Sequence, residues 1–151
     1  DTLPLWMLVV AYAAHIMEEY FLDWRSWAKR ISGLSLDWTE FFVANSAVLV
    51  LGFCCSNVGF ACPIFSYIFV GLATVNALTA HIGTSIVKRT FSPGLLTSIF
   101  LFLPLSIWAY VVVWQKGILN LPFIAFTILG GLIIQAFPIL LQLLKRRIIK
   151  K

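Results

Sequence analysis

Charge is scarce in this chain. Asp, Glu, Lys and Arg make up 11% of its 151 residues, against about a quarter in an ordinary soluble domain. Little room is left for a water-facing domain. Cysteine is nearly as sparse: Cys54, Cys55 and Cys62 are the only three, and no two form a CxxC pair. That spacing excludes a zinc knuckle. The three read as small apolar fillers; the sharper alternative is one disulfide, Cys62 with Cys54 or Cys55, if their loop faces an oxidising compartment. Internal repeats, low-complexity segments and composition breaks are absent, so residues 1–151 read as one domain. The net charge of +5 is scattered over loops and one tail. Nucleic acid is therefore not an expected partner.

What fills the chain is apolar: 61% of the residues are hydrophobic and the mean hydropathy is +0.96. The fold class this predicts is all-α, a polytopic membrane helix bundle with the lipid bilayer as its principal partner. Five spans are expected, from about Leu3 to Leu22, Glu40 to Cys55, Pro63 to Val87, Gly94 to Trp114, and Leu121 to Leu144. The basic residues alternate. Arg25, Lys29 and Arg30 follow the first run, Lys88 and Arg89 the third, and Lys145, Arg146, Arg147, Lys150 and Lys151 the fifth, while Lys116 alone occupies the other side. This bias predicts the N-terminus outside and the C-terminus in the cytoplasm. It fits a bacterial plasma or inner membrane, or a eukaryotic endomembrane. The chain opens on Asp1, which leaves a missing native N-terminus or a removed targeting segment open. The linker 23–38 is amphipathic and reads as a surface helix, with a lid over an inward-opening cavity as the alternative. The tail 145–151 reads as an orientation signal that attracts anionic lipid.

Against this background the first run contains His15, Glu18 and Glu19. Ionisable groups at membrane depth are costly and mark functional sites. His15 and Glu19 are four apart, and Glu18 lies three from His15, so all share one helix face with Tyr12 a turn away. Two residues four apart can serve one metal from one helix. Counting from the helix ends brings His81, and Asn45 of the second run, to the depth of His15, about 10–12 Å from one surface. The expected site is a divalent metal, Zn or Fe/Mn, held by His15, Glu19 and His81, with Glu18 as catalytic base. Tyr12, Asn45, Asn76, Thr84 and Ser85 are expected around it. Asn76 and His81 are five apart and share a face only if a π-bulge intervenes. Thr74, Thr84 and Ser85 share a face with His81 directly. Asp37 and Glu40 read as helix-start residues, and Pro93-Gly94 as a tight turn that could line the mouth of the site. Gly71, Gly83, Gly130 and Gly131 permit close helix packing.

The ordered set HIMEE at 15–19, Asn76, His81, then Phe91, Pro93 and Gly94 resembles the HXXEE-domain membrane proteins. The resemblance runs from the first helix into the fourth and implies a multi-helix membrane fold with a shared site, but no reaction. The family's aromatic is usually Tyr, so Phe91 departs from it and argues against a phenolic acid there. The expected function is a metal-dependent membrane enzyme, leaning to a hydrolase of a lipid-soluble or membrane-adjacent small molecule. The alternatives are a bis-His haem cytochrome, a proton-coupled carrier or lipid binder, and a scaffold. Oligomers are left open.

Overall fold

The computed structural model describes residues 1–149, with side chains described as far as Ile139. Among the described residues every regular element is helical: α1 (Leu3–Phe21), α2 (Trp24–Ser32), α3 (Trp38–Val58), α4 (Pro63–Lys88), α5 (Leu95–Gln115) and α6 (Leu121–Ile149). The side chains of the basic tail 145–151 lie outside the described residues. Four stretches are long and apolar enough to cross a membrane: Trp38–Ala61, Pro63–Lys88, Leu95–Gln115 and Leu121–Ile139. The pair α1 and α2, bent by 76°, makes a fifth if it is counted as one broken span.

Local signals set these boundaries. Pro4 and Pro63 sit in the first turns of α1 and α4, where a missing N–H leaves no bond unmade. Asp37 and Glu40 close a reciprocal capping box: the Asp37 carboxylate accepts from Glu40 N at 2.7 Å, and Glu40 accepts from Asp37 N at 3.1 Å. α3 therefore begins at Trp38, two residues before the expected start. The linker is the short helix α2, with Trp27 and Ala28 buried and Lys29 and Arg30 exposed. All three cysteines are free, so the alternative of one disulfide is not formed. Cys55 is buried and donates to the Phe65 carbonyl at 3.4 Å.

α4 is the centre of the bundle. Half of its most apolar window is buried, against 17% for that of α6. α1, α3, α5 and α6 all pack on it, α6 most extensively. The α4–α6 crossing is tight because it is made by glycine. A Cβ on Gly71 would collide with the Thr127 carbonyl, and one on Gly131 with the Gly71 backbone. Gly71→Val is expected to push the helices apart and lower the melting temperature in detergent by several degrees, by about 1–3 kcal/mol of overpacking. An unchanged melting temperature would show that the crossing is loose.

Two helices are not α-helical throughout. α4 is π-helical over Asn76–Gly83, and α5 over Ser98–Phe102. π-turns are uncommon and cluster at functional sites. Here the two flank the same point, where α1 carries its histidine.

Candidate functional site

α1 contributes His15 and Glu19, and the π-helical turn of α4 contributes His81. The three are 1%, 6% and 0% exposed, in the interior of an apolar bundle. His15 Nε2 lies 3.6 Å from Glu19 Oε1, and His81 Nε2 lies 3.6 Å from the same oxygen. One ligand atom from each of the three falls within 4.8 Å of the others. The expected trio is thus brought together by two helices. Atoms held at about 2.1 Å from a tetrahedral ion stand about 3.4 Å apart, close to the two 3.6 Å separations from Glu19.

Both imidazoles are oriented from behind. His15 Nδ1 is 2.7 Å from Thr97 Oγ1, and Thr97 Oγ1 is 2.6 Å from Glu18 Oε2. A carboxylate only accepts, so the threonine hydroxyl donates to Glu18 and accepts from His15. The proton of His15 is thereby fixed on Nδ1, and Nε2 presents its lone pair to Glu19. His81 repeats the logic with Ser92, whose Oγ is 3.0 Å from Nδ1 and donates to the Pro93 carbonyl at 3.3 Å. Ser92 is itself held by its N–H, which donates to Ser85 Oγ at 3.2 Å. Neither Nε2 has a hydrogen-bond partner, and both are buried. Phe102 packs against His15 at 4.6 Å between ring centroids and stacks on Tyr12 at 5.6 Å, closing the apolar side. The arrangement is two unpartnered imidazole Nε2 atoms and a carboxylate oxygen converging on one point. Such a set could hold a cation, with hydroxyls behind each ring to orient it.

Glu18 has a task other than the expected one. Its carboxylate accepts from Leu96 N, Thr97 N and Thr97 Oγ1 at 3.1, 2.8 and 2.6 Å. It therefore caps the N-terminus of α5, where the helix dipole favours an anion, and orients His15 through Thr97. Three residues before Glu18, His15 shares its face; one residue after, Glu19 turns inward to the cluster.

A cavity of about 170 Å³ opens beside the cluster, lined by Tyr12, Glu19, Asn45, Asn76, His81 and Gln135 among apolar neighbours. Asn45 accepts from the Tyr12 hydroxyl at 3.2 Å. Asn76 reaches this cavity because the π-helical register aligns residues five apart, the condition its spacing required. Asn76 Oδ1 and Gln135 Oε1 are buried without partners. Thr84 does not join the site: its hydroxyl bonds back to the Thr79 carbonyl. Ser85 acts one step out, through Ser92. Phe91 is exposed, whereas Ser92, Pro93 and Gly94 are buried against the cluster.

Sequence reasoning passed over Thr97, Ser92 and Gln135. Thr97 lies three residues after Gly94, where a first-turn hydroxyl is ordinary. Nothing in the sequence says which neighbour it meets. Thr97→Val is expected to weaken metal binding by about 10–100-fold while Thr97→Ser retains most of it, as for other outer-layer partners of ligating histidines. Equal affinities for valine and wild type, by competition with a chromophoric chelator, would remove Thr97 from this role.

Fold and cluster together define a class: an all-helical protein with several helices of membrane-crossing length and a buried His–Glu–His cluster. The family model described as a protein of unknown function with HXXEE motif matches residues 6–109, and the chain belongs to that family. The match takes in α1 to α4 and most of α5, the elements that carry the cluster. No curated protein and no solved structure matches the chain.

Proposed function

We propose that this chain is a metal-dependent membrane hydrolase in which His15, Glu19 and His81 hold Zn, or Fe/Mn, within a five-span bundle. One observation carries the reading: two buried, unpartnered imidazole Nε2 atoms each face the same Glu19 oxygen at 3.6 Å. Two lone pairs aimed at an anion repel it, and burying that arrangement in apolar surroundings is costly. A divalent cation at the convergence point turns each of the three contacts attractive. Two His and one carboxylate are a recurrent set for catalytic zinc and for non-haem iron.

Such a metal would acidify a bound water and polarise a carbonyl. The chain supplies the rest. Among the described residues Glu19 is the only carboxylate lining the cavity, so the oxygen it does not give to a metal is placed to receive the proton of the attacking water. Asn76 and Gln135 line the same space with unpartnered amide oxygens, which can accept from an N–H or O–H of the substrate or leaving group, while Gln135 Nε2 donates to Thr79 Oγ1. Water oxygen adds to the carbonyl carbon, the bond to the leaving oxygen or nitrogen breaks, and the departing group takes the proton.

The alternation of basic residues supports an N-terminus outside and the cluster in the cytoplasmic half. The bent α1–α2 pair then makes the first span, with α2 turned along the surface. A haem gripped between the two histidines fits poorly, since the buried Glu19 carboxylate stands 3.6 Å from both Nε2 atoms and would crowd it. A proton relay through the cluster meets gaps of 3.6 Å, too long for a hydrogen bond. The test is hydrolysis of fluorogenic acyl esters and amides by protein in detergent. Activity lost on chelation and restored by zinc, iron or manganese supports the reading. Activity indifferent to chelator contradicts it.

A further inference from the structure

The cavity at the cluster does not end there. A larger groove of about 330 Å³ lies between α3 and α6 and shares Leu36, Ala44, Val48, Ile134 and Pro138 with it. α3 packs on α1 and α4, and α6 on α4, while among the described residues α3 and α6 make little direct contact and the groove lies between them. Small side chains on α3, Ala44 and Ala47, keep it wide. Val43, Ala47 and Phe137 are exposed at its outer edge, where bilayer hydrocarbon would meet it. The outer space is lined almost wholly by apolar side chains, and the inner one carries the amides of Asn45, Asn76 and Gln135. Polarity therefore rises along one track from the bundle surface to Glu19 and His81.

We infer that this track is a lateral entry for a single acyl chain whose neutral polar end, an ester or amide carbonyl, reaches the His15–Glu19–His81 cluster. The inference rests on the hydrolase reading and names its substrate class. Among the described residues neither space is lined by Lys or Arg, and each has a carboxylate in its lining, Glu40 outside and Glu19 inside. Among the described residues a phosphate headgroup would find no cationic side chain on this route. The unpartnered Asn76 Oδ1 and Gln135 Oε1 accept, and match the hydroxyl or amide N–H that stands beside the carbonyl of an uncharged acyl ester or amide. The narrow apolar track beside one polar end is the shape of a single-chain lipid.

The experiment uses the full chain in phosphatidylcholine vesicles, with a palmitoyl glycerol ester carrying a mid-chain diazirine as the probe. After photolysis, labelled residues are located by mass spectrometry and the metal content of the same preparation is measured. Labelling is expected on α3 and α6 at Val43, Ala47 and Phe137, and excess unlabelled palmitoyl glycerol should suppress it. Ala47→Trp, which fills the groove without touching the cluster, is expected to reduce that labelling about tenfold. Ile107→Trp, on the exposed face of α5, should leave it unchanged. Label spread evenly over the outer faces, or groove labelling that competitor does not suppress, would overturn the inference; the competitor arm decides it even if Ala47→Trp does not fold. Metal bound without saturable labelling sinks the acyl track alone. Saturable labelling without metal sinks the metal reading and leaves an acyl-binding groove.

Discussion

Glu19→Gln is expected to lose at least nine-tenths of the bound metal, a reduction in affinity of roughly 100-fold or more, since even outer-layer partners of ligating residues are worth about 10–100-fold. The substitution keeps the shape of the side chain and removes its charge. Its effect on stability should depend on metal. Without metal, wild-type protein buries a carboxyl group 3.6 Å from two imidazole Nε2 atoms, neither of which has a hydrogen-bond partner. Glutamine replaces the anion with an amide whose N–H can donate to one of the orphaned Nε2 atoms. Metal-free Glu19→Gln should therefore melt higher than metal-free wild type. With zinc added the order should invert, because ligand binding stabilises only the protein that binds it. A variant that melts lower than wild type in both conditions would mean that Glu19 is a structural partner of the histidines and not a metal ligand. Thermal melts with and without chelator distinguish the two.

The second large effect is expected at Gly94. It holds φ +96, in the left-handed region, and an added Cβ would stand 2.5 Å from His81 Cε1 and 2.6 Å from His15 Cε1. Neither ring can yield freely. His15 is pinned between Thr97 and Phe102, and His81 is tied to Ser92. Gly94→Ala should cost about 1–2 kcal/mol for the left-handed residue and about 1–3 kcal/mol more for the collision. Metal affinity should fall on the order of 100-fold as the rings are driven apart. Gly33 supplies the control: its φ is +70, and nothing lies within 4 Å of an added Cβ. Gly33→Ala should show the conformational cost with metal binding intact. Equal metal binding by both alanine variants would mean that the loop does not press on the cluster.

Much of the cluster was legible because it rests on helix geometry. The spacing of His15 and Glu19 puts them on one face of any α-helix, and a depth count from the basic ends brought His81 and Asn45 to the same layer. The site residues that were missed, or given another role, depend on which helix meets which. Glu18 lies on the flank of α1, and its role follows from the start of α5 being its neighbour. Thr97 and Ser92 looked like ordinary residues of a turn and a helix start, and only the packing of that turn under both imidazoles gives them work. The π-helical turn of α4 is a similar case. The five-residue spacing of Asn76 and His81 named the condition for them to face one cavity, but not that the helix would meet it. Thr84 shows the converse: the extrapolated face of an α-helix overreached, because the register changes before Thr84. At the helix ends, the capping box at Asp37 and Glu40 was visible, while α3 runs past the expected stop at Cys55 to Val58 because no proline or glycine intervenes before Gly59.

The central claim is that His15, Glu19 and His81 form one ion site, and elemental analysis by mass spectrometry tests it most directly. Detergent-purified wild type, His15→Ala and His81→Ala would be measured after reconstitution with zinc, iron or manganese and removal of free ion. The account predicts about one ion per wild-type chain and near-complete loss in each single variant, since the two histidines come from different helices but serve the same point. Stoichiometric metal that survives either substitution, or wild type that stays metal-free through reconstitution, would contradict it.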